Sequence, residues 1–149
     1  PYRRQRQMCI RDRYRNDMEG GQTNEFRPLI LVAEDDDSNF KLIKAIIGKK
    51  CDIQWAKNGE EIVALFKEYG NEAKAILMDI KMPVMNGLDA TKIIRGENKE
   101  IPIIMQTAYA FSSDKENAMN AGASEVLVKP ITLSILRNTL TKYFPELVW

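Results

Sequence analysis

The chain predicts an open, doubly wound α/β fold, a (βα)5 arrangement around a parallel five-stranded sheet. Three observations predict it. After Pro28, short apolar runs alternate five times with stretches of helical spacing. Strand–helix alternation of this kind implies parallel strands joined by right-handed crossovers, with helices covering both faces of the sheet. The 149 residues suit one domain, whereas a closed eight-stranded barrel needs about 250.

The first strand is read at Leu29–Ala33, where five apolar residues stop abruptly at acids. Phe40, Ile43 and Ile47 then recur at helical intervals, preceded by Asp36, Asp37 and Ser38, residue types that favour a helix's first turn. Ile53–Ala56 is the second strand, and Ile62, Leu65, Phe66 and Tyr69 mark the second helix. The third pair is Ala75–Met78 with Leu88, Ile93 and Ile94; the fourth is Ile101–Gln106 with Ala118 and Met119. Glu125–Val128 and then Leu133, Leu136 and Leu140 complete the series. Asn58-Gly59 and Asn86-Gly87 read as turns.

Hydrophobic residues form 44% of the chain and charged residues 29%, a balance that supports a buried core and excludes collagenous, mucin-like and disulfide-rich classes. No apolar run approaches the roughly 20 residues needed to cross a bilayer, and no signal peptide opens the sequence, so a cytoplasmic location is expected. Cys9 and Cys51 cannot form a framework of bridges. The absence of histidine excludes histidine zinc sites, Ser-His-Asp and Cys-His nucleophiles, and a phosphohistidine on this chain. Chemistry must run on carboxylates, hydroxyls and lysine.

Arg3, Arg4, Arg6, Arg11 and Arg13 crowd the N-terminus against a single acid, Asp12. The run from Arg3 to Arg13 resembles one reading frame of a common transposase-library sequencing adapter, so residues 1–13 are read as a scar and excluded from functional reasoning. Without them the formal charge turns from +1 to negative, and a nucleic-acid-binding reading loses its support. Residues 14–28 are polar, without periodicity, and centred on Gly20 to Asn24; they read as a flexible linker.

In an open doubly wound sheet, ligands bind beyond the carboxyl ends of the strands, where the strand order reverses. The first strand ends at Glu34 and Asp35, the third at Asp79, the fourth at Thr107 and the fifth at Lys129. Carboxylates a few ångströms apart repel by about 1–4 kcal/mol per pair unless a cation or proton intervenes. Mg2+ suits such a set, with Asp35 and Asp79 as ligands and Glu34 acting through water; an EF-hand calcium pattern is absent. Asp79, isolated after a buried run, is the candidate nucleophile for an aspartyl phosphate. Lys129 and Thr107 offer an ammonium and a hydroxyl to phosphoryl oxygens.

The acid pair Glu34–Asp35 with Asn39, Asp79 with Met82-Pro83 and Gly87, Thr107-Ala108 and Lys129-Pro130 occur in an order that resembles the receiver domain of the two-component response-regulator family. The resemblance covers Leu29 to about Phe144, within a domain read as residues 29–149, and implies a flavodoxin-like fold. It implies that Asp79 accepts the phosphoryl group, that Asp35 is a direct and Glu34 an outer Mg2+ ligand, and that the Lys81 main-chain carbonyl is another. Thr107 and Lys129 would sense the phosphoryl group, and the Lys129–Pro130 bond would be cis. Lys81 and Tyr109 border the site in the family pattern and would slow hydrolysis. Val126 stands where many receivers carry an aromatic that swings with the Thr.

The donor implied is a histidine kinase or histidine phosphotransfer protein, with this chain as the C-terminal receiver of a hybrid histidine kinase and without nucleic-acid or membrane contact of its own. A phosphatase of the haloacid-dehalogenase type does not fit, because its nucleophile follows the first strand with a second Asp two residues on. The alternative is a receiver-shaped interaction module that is never phosphorylated.

Overall fold

A computed structural model describes residues 26–108 and 113–149. The adapter-like segment, residues 14–25 of the linker and Tyr109 lie outside the described residues. Five strands, β1 (Leu29–Ala33), β2 (Asp52–Ala56), β3 (Ala73–Asp79), β4 (Ile103–Thr107) and β5 (Glu125–Val128), alternate with α1 (Asp37–Ile47), α2 (Gly59–Tyr69), α3 (Gly87–Glu97), α4 (Ser113–Ala121) and α5 (Leu133–Tyr143). All strand pairs are parallel and their order is β2-β1-β3-β4-β5. The order reverses between β1 and β3, so the crevice beyond their carboxyl ends lies at the switch point.

Side chains alternate across the sheet and split the core in two. Leu29, Leu31, Ile76, Met78, Ile103 and Met105 pack against α2, α3 and α4. Ile30, Val32, Leu77 and Ile104 pack against α1 and α5. Side-chain caps set four of the helix starts: Asp36 accepts from Ser38 and Asn39 N–H groups, Asn58 from Glu61, Asn86 from Asp89, and Thr132 from Ile135. Asn58 and Asn86 are thus N-caps and not the turn residues expected, with Gly59 and Gly87 already inside the helices.

Some expected contacts are displaced. Ile93, Met119 and Leu133 are more than 40% exposed; α3 buries Ala90, Thr91 and Ile94, α4 buries Ala118 and Ala121, and α5 buries Leu136, Thr139 and Leu140. β4 starts at Ile103 and not Ile101, after Pro102, which has no N–H for a ladder. Phe26 to Pro28, counted with the linker, contact the domain: the Arg27 guanidinium donates to the carbonyls of Gly48, Lys49 and Cys51 and pairs with Asp52 at 3.4 Å. No helix among the described residues is long and apolar enough to cross a membrane.

Cys51 is buried beneath α1, and burial pushes its thiol up to about 12, against the pull of Arg27. In a Cys9→Ser background at pH 8 its reaction with an aromatic disulfide is expected to be on the order of a thousandfold slower than that of a free thiol, as followed by thiolate release. A free-thiol rate would show that the native chain exposes it.

Candidate functional site

β1 delivers Glu34 and Asp35 to the switch point, and β3, its neighbour, delivers Asp79. One carboxylate oxygen from each of the three lies within 4.8 Å of the others. Glu34 and Asp79 are buried, while Asp35 is exposed at the mouth. Lys129, at the end of β5, reaches across β4 to place Nζ 2.9 Å from Asp79 Oδ2 and 3.5 Å from Glu34 Oε2. Thr107 ends β4, buried, and its carbonyl accepts from the Lys129 N–H at 2.7 Å. Lys81 lies exposed two residues beyond Asp79. The Lys129–Pro130 bond is cis.

Two buried acids share one ammonium, and the balance is visible in the protonation of Glu34 and Lys129. Burial, then the charge of Asp79, pushes Glu34 from 4.5 up to about 7, although Lys129 and the Asp36 N–H pull it back. Burial alone would depress the Lys129 ammonium, but its hydrogen bond and charge pairing with Asp79, then with Glu34, hold it above its ordinary value. The cluster therefore carries excess negative charge when all three acids ionise. Clustered hard oxygen donors in a negative pocket fit a small divalent cation such as Mg2+.

Several neighbours of the site had no chemical assignment from sequence. The Asp36 N–H donates to Glu34 Oε1 at 3.2 Å while the Asp36 side chain caps α1, so one residue serves both the helix and the acid. Gln106, the β4 partner of Asp79, turns toward α1; its buried amide nitrogen has no partner among the described residues. It borders a cavity of about 290 Å3 walled by Leu42, Ile43, Lys129, Pro130 and Ile131. Val84 adopts φ 68°, with the Met85 N–H donating to the Pro83 carbonyl across it, a strained turn for a β-branched residue.

Gly87 is required by close approach. A Cβ there would lie 2.1 Å from the Asp79 carbonyl oxygen, because the Gly87 N–H donates to the Ile80 carbonyl and draws the start of α3 onto the end of β3. Gly87→Ala is expected to cost about 2–3 kcal/mol by forcing the two backbones apart, measured by urea unfolding. An unchanged midpoint would mean that α3 yields freely.

A doubly wound domain that gathers three acids and a lysine at its switch point belongs to the class of α/β modules that work from their carboxyl edge. Comparison with known proteins makes the class specific: residues 30–141 match the response regulator receiver domain, and the chain belongs to that family. It is 38% identical over 129 residues to hybrid signal transduction histidine kinase I of Dictyostelium discoideum, covering 78% of this chain and 7% of that protein. To the histidine-protein kinase BarA of Escherichia coli K12 it is 33% identical over 119 residues, covering 78% of this chain and 13% of the kinase. The chain thus spans a small part of these relatives.

Among solved structures, the receiver domain of sensor histidine kinase PA1611 from Pseudomonas aeruginosa PAO1, with magnesium coordinated in its active-site cleft, is similar at TM-score 0.73 and 30% identity, over 79% of this chain and 98% of that one. A chain from the co-crystal structure of the Saccharomyces cerevisiae histidine phosphotransfer protein Ypd1 with the Ssk1 receiver domain is similar at TM-score 0.74 and 28% identity, over 82% of this chain and 93% of that one.

Proposed function

We propose that Asp79 is the phosphoacceptor of this receiver and takes a phosphoryl group from a phosphohistidine on a partner protein. The observation that carries the reading is the Asp79 carboxylate, held 2.9 Å from the Lys129 ammonium beside two further acids at the switch point. An Asp79 oxygen forms the new bond to phosphorus as the bond from phosphorus to the histidine nitrogen breaks, and the imidazole leaves with the electron pair. Lys129 offsets the charge of Asp79 before transfer and of the phosphoryl oxygens after it. Thr107, on the adjacent strand end, offers its hydroxyl to the same oxygens. Asp35, Asp79 and the Lys81 main-chain carbonyl would hold Mg2+ directly, with Glu34 acting through water, and the ion when bound would add positive charge beside the phosphoryl group.

Since Lys129 holds Asp79 and Glu34 together, transfer redistributes its pairing, and this is the local event that shifts the domain between two states. The chain contains no histidine, so the donor is a histidine kinase or histidine phosphotransfer protein; the complex of Ypd1 with a receiver supports this choice. The match to a hybrid kinase supports a place as a receiver within such a protein, joined through the polar segment ahead of Phe26, with residues 1–13 as an adapter scar. The domain promotes its own phosphorylation and hydrolysis and is otherwise no enzyme. The free thiol of Cys51 favours the cytoplasm, a reducing compartment.

Incubation with acetyl phosphate and Mg2+ tests the reading. The expected result is one acid-stable, alkali-labile phosphate per chain, detected by intact-mass measurement and suppressed by a chelator. A chain that stays unlabelled would instead be the interaction module that is never phosphorylated.

A further inference from the structure

Trp55 lies on the edge strand β2, apart from every residue assigned to the chemistry, yet its indole N–H donates to the main-chain carbonyl of Glu34 at 2.8 Å. The Glu34 N–H is held by the same strand, donating to the Ala56 carbonyl at 2.9 Å. Both main-chain groups of Glu34 are therefore tied to the end of β2, one of them through a side chain. The indole is itself held in place. It stacks on Phe40 of α1 with centroids 4.1 Å apart and planes within 1° of parallel, and Lys57 Nζ sits 4.8 Å from the ring centroid on β2's own continuation. Lys57 lies 3.9 Å from the Asp37 carboxylate in the first turn of α1.

We propose that Trp55 is a positioning residue for the acid cluster, fixing the Glu34–Asp35 peptide so that both carboxylates are aimed before a cation arrives. The inference rests on reading the cluster as a Mg2+ site. The carbonyl of Glu34 and the N–H of Asp35 belong to one rigid peptide plane. Pinning the carbonyl sets that plane, and the plane sets where the Asp35 side chain leaves the backbone. Mutual repulsion of the carboxylates favours rotating the plane and moving Asp35 away. A clamp on the carbonyl opposes that rotation, and a cation then binds acids already gathered, without a cost of gathering them.

Trp55→Phe in the full chain tests the assignment, because phenylalanine keeps an aromatic ring for Phe40 but has no N–H to donate. Three measurements apply: calorimetric titration with Mg2+, amide hydrogen exchange at Asp36 in the metal-free chain, and the melting temperature. The expected result is a loss of about tenfold in Mg2+ affinity, the low end for removing a group that orients a ligand, with faster exchange at Asp36 and acetyl phosphate labelling restored at saturating Mg2+. A lower melting temperature with parental Mg2+ affinity would make Trp55 a packing residue only and overturn the proposal. If the parent chain binds no Mg2+, the metal reading fails first and the positioning role falls with it.

Discussion

Asp79→Asn is expected to reduce acetyl phosphate labelling on the order of a thousandfold or more, leaving no alkali-labile phosphate at saturating Mg2+. The amide oxygen of asparagine is a poor nucleophile, and loss of a nucleophile costs at least this much where no neighbour substitutes. Asp35 is the nearest alternative, but it is exposed at the mouth, whereas Asp79 is bonded to Lys129 at 2.9 Å. The same substitution removes a negative charge that pushes Glu34 up, so the variant should fold at least as stably as the parent. Labelling at the parental rate would move the acceptor to another acid. Loss of labelling together with a collapsed melting temperature would point to misfolding instead.

The metal-free chain is expected to lose stability as pH rises from about 4.5 to 7, opposite to the usual acid denaturation of a carboxylate-rich protein. Glu34 is fully buried and faces Asp79, Asp35, Lys129 and the Asp36 N–H; burial, then the charge of Asp79, pushes it from 4.5 up to about 7. Between these values the unfolded chain has released the Glu34 proton while the folded chain still holds it. A raised acid contributes its stability fully below the unfolded value and loses it as pH passes the folded one. The gap corresponds to about 3 kcal/mol for this group. Melts in chelator at pH 5 and pH 8 should differ in that direction, and saturating Mg2+ should recover most of the loss at pH 8 while adding little at pH 5. A flat profile in chelator would mean that Glu34 is ionised in the folded chain.

β1 and β5 occupy the ranges expected from sequence, Leu29–Ala33 and Glu125–Val128: β1 is an apolar run buried along its whole length, and β5, a partly buried edge strand, is bounded by Ser124 and Lys129. The acids were legible for the same reason, since a buried strand ends where its sequence turns charged, and the connectivity brings those ends together. Helix faces were less legible. Ile93 and Met119 each adjoin a buried residue, Ile94 and Ala118, and one residue of rotation, about 100° around the axis, separates core from solvent. Arg27 was hidden because its partners are mostly backbone carbonyls, which leave no mark in sequence. The same holds for Trp55 and Glu34, which are 21 residues apart and meet through a carbonyl. Gly87 offered a faint signal: an Asn-Gly pair opening a helical stretch indicates a cap with a helix start drawn close to something, but not that this something is the carbonyl of Asp79.

Phe26, just ahead of β1, meets Phe144, just after α5, with ring centroids 6.2 Å apart. Both lie at the amino edge of the sheet, and the five residues of β1 separate that edge from the acids by about 16 Å. Polypeptide arriving ahead of Phe26 therefore joins the domain on the side remote from the chemistry, while the residues after Phe144 turn back along α5, where the Trp149 indole donates to the Thr141 hydroxyl at 3.0 Å and lies 5.2 Å from the Arg137 guanidinium. A load carried on that incoming stem stands a strand's length from the acids, and the reactive face stays open to a visiting protein.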